Sequence, residues 1–206
     1  MALTTYSDLQ TTVANYLARS DLSSQIPDFI RLAEIRLRRE LRIRQMLKNV
    51  TTTTTSGDAT VQLPSDFLEM RDLYIDGDPR QPVSYLTPSL FTRNAQATYS
   101  GKPFQYTILA NEFNFAPTPD SQYTLYMLYY ASPPYLSDTQ TTNVWTVNAM
   151  DCLLYATLGE AEPYLMNDAR LATWASLYQR GIDSLTKSDD DSEFSASPLT
   201  MRVASR

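Results

Sequence analysis

The spacing of apolar residues changes period twice along this chain, and no other feature narrows its fold as much. Leu9, Val13, Tyr16 and Leu17 recur at helical spacing behind Ser7-Asp8, and Phe29, Ile30, Ala33, Leu37 and Leu41 do so behind Pro27. Met150, Leu153, Leu154, Thr157, Leu158 and Ala161 form a third stripe, stopped or kinked at Pro163. Leu171, Trp174, Ala175, Tyr178, Ile182 and Leu185 form a fourth, capped by Asn167-Asp168. The spacing predicts helices over about residues 5–19, 26–47, 149–162 and 168–187.

Between the helix pairs, about residues 50–131, the pattern turns to strands and turns. Thr51–Thr55 and Ala59–Leu63 flank Ser56-Gly57-Asp58 and predict a hairpin. Met70–Ile75 predicts a strand, and Thr87-Pro88 opens a short helix to about Ala97. Phe104–Leu109 and Glu112–Ala116 predict two strands joined tightly at Ala110-Asn111. Tyr123–Ala131 is apolar or aromatic on both faces, so it is expected to be covered on both. The result is an α+β chain. Residues 1–187 are read as one domain, a helical core with a β-rich insertion, and 188–206 as an extended C-terminal arm too polar to build a core.

A chain of 206 residues, 43% hydrophobic, can bury a core without disulfides or metals. Its one cysteine, Cys152, sits in a helical stripe and reads as a small buried apolar side chain. The N-terminus has no signal-peptide pattern and no apolar run reaches bilayer length, so a cytoplasmic product with no membrane contact is expected.

The missing chemistry is informative. Without histidine there is no Ser-His-Asp triad, no Cys-His pair and no histidine-bearing zinc site. The five glycines lie too far apart for a phosphate-cradling loop or a dinucleotide fingerprint. Glu160 and Glu162, two apart on a helix, point different ways. Asp189, Asp190 and Asp191 lack a glycine-bearing loop to frame a cation and read as solvated. No catalytic, metal-binding or cofactor-binding residue is assigned and no cofactor is expected.

Charge is unevenly placed. The net charge is −6, yet residues 31–48 hold seven basic residues against Glu34 and Glu40. A solvated face with i, i+4 ion pairs accounts for such a helix as well as a functional surface does. As a surface, Arg31, Arg36, Arg38, Arg39, Arg42 and Arg44 would face an acidic partner or DNA phosphates. The 14 tyrosines, among them Tyr85, Tyr99, Tyr106, Tyr123, Tyr126, Tyr129, Tyr130 and Tyr135, belong to sheet faces and core or anchor interfaces.

Taken in order, several segments resemble the head-to-tail adaptor, or head-completion, proteins of short-tailed phages. They are Tyr6-Ser7-Asp8-Leu9, the arginine helix from Ile30 to Arg39, Leu63-Pro64-Ser65-Asp66-Phe67-Leu68 and Leu73-Tyr74-Ile75. Gly101-Lys102-Pro103, Ala116-Pro117-Thr118-Pro119-Asp120, Leu128-Tyr129-Tyr130-Ala131 and the closing helix pair continue the series. Each motif is weak alone, and their order over about residues 3–186 carries the likeness.

The resemblance implies a structural virion protein of the neck, assembled in the host cytoplasm and without catalytic activity. It would form a homo-oligomeric ring, typically a dodecamer, docked between the portal protein and the tail nozzle protein with genomic DNA passing through. The arm would reach the portal through Asp189, Asp190, Asp191, Phe194, Pro198, Leu199, Met201 and Val203, although it lies beyond the resembling segments. Two other readings compete. A DNA-binding regulator would use residues 7–47 as a helix-turn-helix-like pair, but the linker lacks the usual glycine and the second helix is long. A glycosidase would need two facing carboxylates, and no pair suggests itself.

Overall fold

A computed structural model of the chain describes residues 3–94, 99–166 and 168–194. The chain divides into two compact units, Met1–Gln45 with Pro133–Arg206, and Met46–Ser132.

The first unit is helical. α1 (Tyr6–Leu17) starts in a capping box between Thr5 and Asp8 and buries Tyr6, Leu9, Val13 and Leu17, one face at helical spacing. α2 (Ile26–Glu40) carries Pro27 in its first turn and buries Phe29, Ile30, Ala33, Glu34 and Leu37. The short α4 (Val144–Asn148), which the periodicity does not predict, is capped by Asn143 and seats Trp145, wholly buried. α5 (Met150–Leu165) is buried on nearly every side, including Cys152, Leu153, Leu154, Ala156, Leu158 and Ala161. It packs against α1, α2, α4 and the last helix, so it is the axis of the unit. Pro163 lies inside its final turn rather than ending it. A 3-10 turn, Asp168–Arg170, leads into α6 (Leu171–Phe194); Asn167, part of the expected cap, lies outside the described residues.

Two helix ends differ from expectation. α2 stops at Glu40, short of about residue 47. Leu41 takes an extended conformation, and Leu41 and Ile43 are buried with Arg42 between them half-buried, a period of two that a helix cannot satisfy. At the other end, α6 continues through Phe194, so Asp189, Asp190 and Asp191 are helical rather than the start of an extended arm. No glycine or proline occurs between Gly181 and Pro198, so nothing breaks the helix where its apolar stripe ends. Along that stripe Tyr178 is buried while Ala175 is exposed.

Among the described residues, the second unit is two four-stranded sheets. With β1 (Leu47–Thr53), β2 (Thr60–Gln62), β3 (Phe67–Ile75), β4 (Gln81–Pro82) and β5 (Ser84–Tyr85) come α3 (Pro88–Asn94), β6 (Gln105–Leu109), β7 (Glu112–Ala116) and β8 (Thr124–Ala131). The first sheet has the order β1-β8-β3-β4 and the second β2-β7-β6-β5. Leu73, Ile75, Leu125, Met127 and Tyr129 from the first form one buried cluster with Tyr106, Phe113 and Phe115 from the second, as in a sandwich.

The expected hairpin at Ser56-Gly57-Asp58 is a turn between sheets. β1 pairs with β8 and β2 with β7, so the two neighbours in sequence part company. β6 and β7 do form the tight hairpin, with Ala110 at φ 54° in its turn. β8 is central, and its two faces are covered to different degrees. Leu125, Met127 and Tyr129 are buried, whereas Tyr126, Leu128 and Tyr130 opposite are half-exposed. The helix expected to reach about Ala97 is α3, and residues 95–98 lie outside the described set.

Candidate functional site

The basic stretch is the one feature of the sequence that asked for a function, and the structure divides its arginines. Arg31 and Arg38, two turns apart on α2, lie on the ring of Tyr135 with guanidinium carbons 3.7 and 3.5 Å from the ring centre. Arg38 also donates to the Pro133 carbonyl. Glu34 lies between them on the same helix and is almost wholly buried. Its carboxylate accepts from the Leu136 amide at 3.0 Å and from Asn143 Nδ2 at 2.8 Å. Burial pushes the Glu34 carboxyl upward, against these hydrogen bonds and the two arginines, which pull it down.

Arg36 reaches the other way. It pairs with Glu40 at 3.1 Å and Glu160 at 3.6 Å, and lies over the ring of Tyr178. The Tyr178 hydroxyl donates to Glu40. Burial first, then the Glu40 carboxylate, raise its pKa. Arg42 donates to the carbonyls of Arg38 and Leu41, both at 2.7 Å, and so closes the end of α2. Arg39 and Arg44 are different. Their side chains are exposed and meet no carboxylate among the described residues.

The acidic run is not free either. Both oxygens of Asp189 accept from the Arg44 backbone amide, at 3.0 and 3.1 Å, which fastens α6 beside the end of α2. Asp190 and Asp191 are exposed. Phe194 ends α6; its side chain, with Pro198, Leu199, Met201 and Val203, lies outside the described residues.

Glu160 and Glu162 have separate employments. Glu160 meets Arg36, while Glu162, fully buried, accepts from Trp174 Nε1 at 2.8 Å and lies 3.2 Å from Arg170 Nε. Among the described residues no group of three metal-ligating side chains comes together, and no helix is long and apolar enough to cross a membrane.

The tyrosines divide as well. Tyr106 and Tyr129 are core, and Tyr135 is held by the arginines. On the outer face of the first sheet Tyr74 stacks on Tyr126 at 5.3 Å with Arg80 beside both rings. Tyr85 and Tyr99 are more than half exposed, at 51% and 54%. Sequence reasoning missed the grip on Tyr135 and the burial of Glu34. A signal for the second was present, since Glu34 falls in line with Ile30, Leu37 and Leu41 on the apolar stripe.

The chain supplies a helical unit and a two-sheet unit, and the arginines and carboxylates traced above serve mainly as ties within each. Residues 4–202 match the family model described as SU10 adaptor protein. The chain belongs to that family, and it is a phage head-tail adaptor, a structural component of the virion. No curated protein matches the sequence.

Proposed function

We propose that copies of this chain close into a ring, of twelve members as the resemblance implies, that joins the portal protein to the tail nozzle protein and lines the path of the DNA. The reading is carried by the family match, which takes in residues of both units and runs from the first helix to beyond the last described one. Its work is structural and needs no cofactor. Assembly would take place in the host cytoplasm and the finished ring would stand in the neck.

The charges that remain support this assignment. Arg31, Arg36, Arg38 and Arg42 make ties within the helical unit while staying partly exposed, and exposed Arg39 and Arg44 are the members of the set freest to face a neighbouring subunit or DNA phosphates. The same ties weaken a helix-turn-helix reading, because a DNA-reading helix needs its basic side chains free. Exposed Tyr85 and Tyr99 suit protein contacts, where tyrosine is enriched.

Sedimentation velocity and negative-stain imaging of the purified chain, alone and with portal, test the reading. Rings in either sample are expected. A chain that stays monomeric in both, and does not bind portal, overturns it.

A further inference from the structure

Three of the four sheet edges are short. β4 has two residues and ends in Pro82, β5 has two, and β2 has three. The fourth edge is β1, which pairs along all seven residues with β8 and without a register shift. On its other side no strand follows among the described residues. β1 contains no proline and one charge, Lys48, near its start. Proteins ordinarily blunt a long edge with bulges, proline or charges, because its unpaired N–H and C=O groups are a template for another strand. Among the described residues, three edges are blunted and the longest has no strand on its outer side.

The sequence holds a second unused pattern. Leu199, Met201 and Val203 alternate with Thr200 and Arg202, the period of a half-buried strand. They fall in the twelve residues after Phe194, outside the described set. Eight residues follow Pro198, enough to match the seven of β1.

We propose that the segment after Pro198 of one copy adds to the β1 edge of a second copy as a fifth strand of its first sheet. The proposal rests on the ring reading. Main-chain bonds supply the affinity in such an addition, and alternating side chains supply the register. Leu199, Met201 and Val203 extend the inner row to which Val50 belongs, while Thr200 and Arg202 share the solvent side with exposed Thr51 and Thr53. Donor and acceptor are different surfaces, so the contact is head-to-tail, the kind that closes a ring. Pairing of β1 with another β1 would be two-fold and would stop at a dimer.

Cross-linking tests this directly. Chains carrying Asn49→Cys, Thr51→Cys or Thr53→Cys are mixed with chains carrying Arg202→Cys and treated with a flexible bismaleimide. The native Cys152 is 1% exposed and stays out of the reaction. Cross-links between the two kinds of chain are expected. Deleting residues 195–206 is expected to weaken ring assembly roughly tenfold or more, since every junction loses a tethered contact, with far-UV circular dichroism and melting unchanged. Rings that form without the cross-link, or that assemble equally well after the deletion, overturn the strand addition and leave the ring reading intact. Closure within one chain bearing both cysteines, β1-to-β1 cross-links, or capture of Arg202→Cys by portal each overturn it as well. A full-length chain that forms no ring with or without portal removes the ring reading and this proposal together.

Discussion

Glu34 and Asn143 meet through a 2.8 Å hydrogen bond that spans 109 residues of sequence. Asn143 Nδ2 also reaches the Pro134 carbonyl at 2.9 Å, while its Oδ1 accepts from the first amides of α4. One carboxylate on α2 therefore sets the path by which the chain resumes its helical half, and Arg31 and Arg38 close on Tyr135 beside it. The cluster most suggestive of a binding surface in the sequence also serves as a clamp within the helical unit.

Glu34→Ala should therefore cost about 3 kcal/mol, because two donors lose a buried charged acceptor and two nearby guanidinium groups lose an opposite charge. Glu34→Gln, which keeps an acceptor, should cost less. The pH dependence has a definite sign. The folded value lies above the ordinary 4.5, so the folded state holds the proton more tightly than the unfolded. This contribution is fully present below 4.5 and is lost as pH rises through the raised value. Urea unfolding across that window should show the wild type losing stability relative to Glu34→Gln. Parallel curves would mean that Glu34 does not titrate in this way.

At Gly181, α6 lies close against α5. A Cβ there would stand 2.8 Å from Cys152 Sγ and 3.3 Å from Asp151 Oδ2. In an open helix, replacing glycine by alanine gains about 1 kcal/mol. Here the overlap should outweigh that gain, and Gly181→Ala should destabilise by about 1–3 kcal/mol. Adding Cys152→Ala removes the obstructing sulfur, so the pair should lose less than the sum of the single variants. A double-mutant cycle by chemical denaturation reads the coupling, and additive losses would argue against the contact.

The arginines should separate in the same assay. Arg38→Glu places a carboxylate beside Glu34 and removes one side of the Tyr135 grip, so it should lower the melting temperature clearly. Arg39→Glu and Arg44→Glu alter exposed side chains and should change stability by less than about 0.5 kcal/mol. Arg44 binds Asp189 through its backbone amide, which the substitution retains. If these two positions face DNA or a neighbour, their reversal should impair assembly or DNA retention in particles while the isolated chain stays folded. Normal infectious particles from the double reversal would exclude that role.

How far the sequence could be read depended on the range of each interaction. The stripes of α1, α2 and α5 are written in residues three and four apart, so periodicity found them. The end of α2 was ambiguous because Leu41 fits the helical stripe and also alternates with Ile43. Only tertiary burial decided in favour of the second. β1 and β2 looked like a hairpin because a turn lies between them, but their partners β8 and β7 come many residues later. No local pattern encodes such a choice. The arginine cluster likewise gave its charge in the sequence but not the ring of Tyr135, almost a hundred residues away, that absorbs two of its members.

The sandwich should answer acid through Asp66. Its carboxylate accepts from the Tyr129 hydroxyl at 2.8 Å and from Lys48 Nζ at 2.7 Å. Burial works to raise its pKa, and the hydrogen bonds from Lys48 and Tyr129 outweigh that effect and hold it below 3.8. The folded state therefore favours the ionised form. The resulting stability is present above 3.8 and is lost as pH falls through the depressed value, opposite in sign to Glu34. Asp66→Asn should flatten the acid limb of unfolding followed by tyrosine fluorescence. Tyr129→Phe should cost about 2 kcal/mol at neutral pH, for one hydrogen bond to a charged acceptor beneath a fully buried ring. Its effect should shrink as Asp66 protonates, because the hydroxyl then faces a weaker acceptor. A Tyr129→Phe penalty that stays constant from neutral pH down through the titration of Asp66 would show that the pair is not coupled.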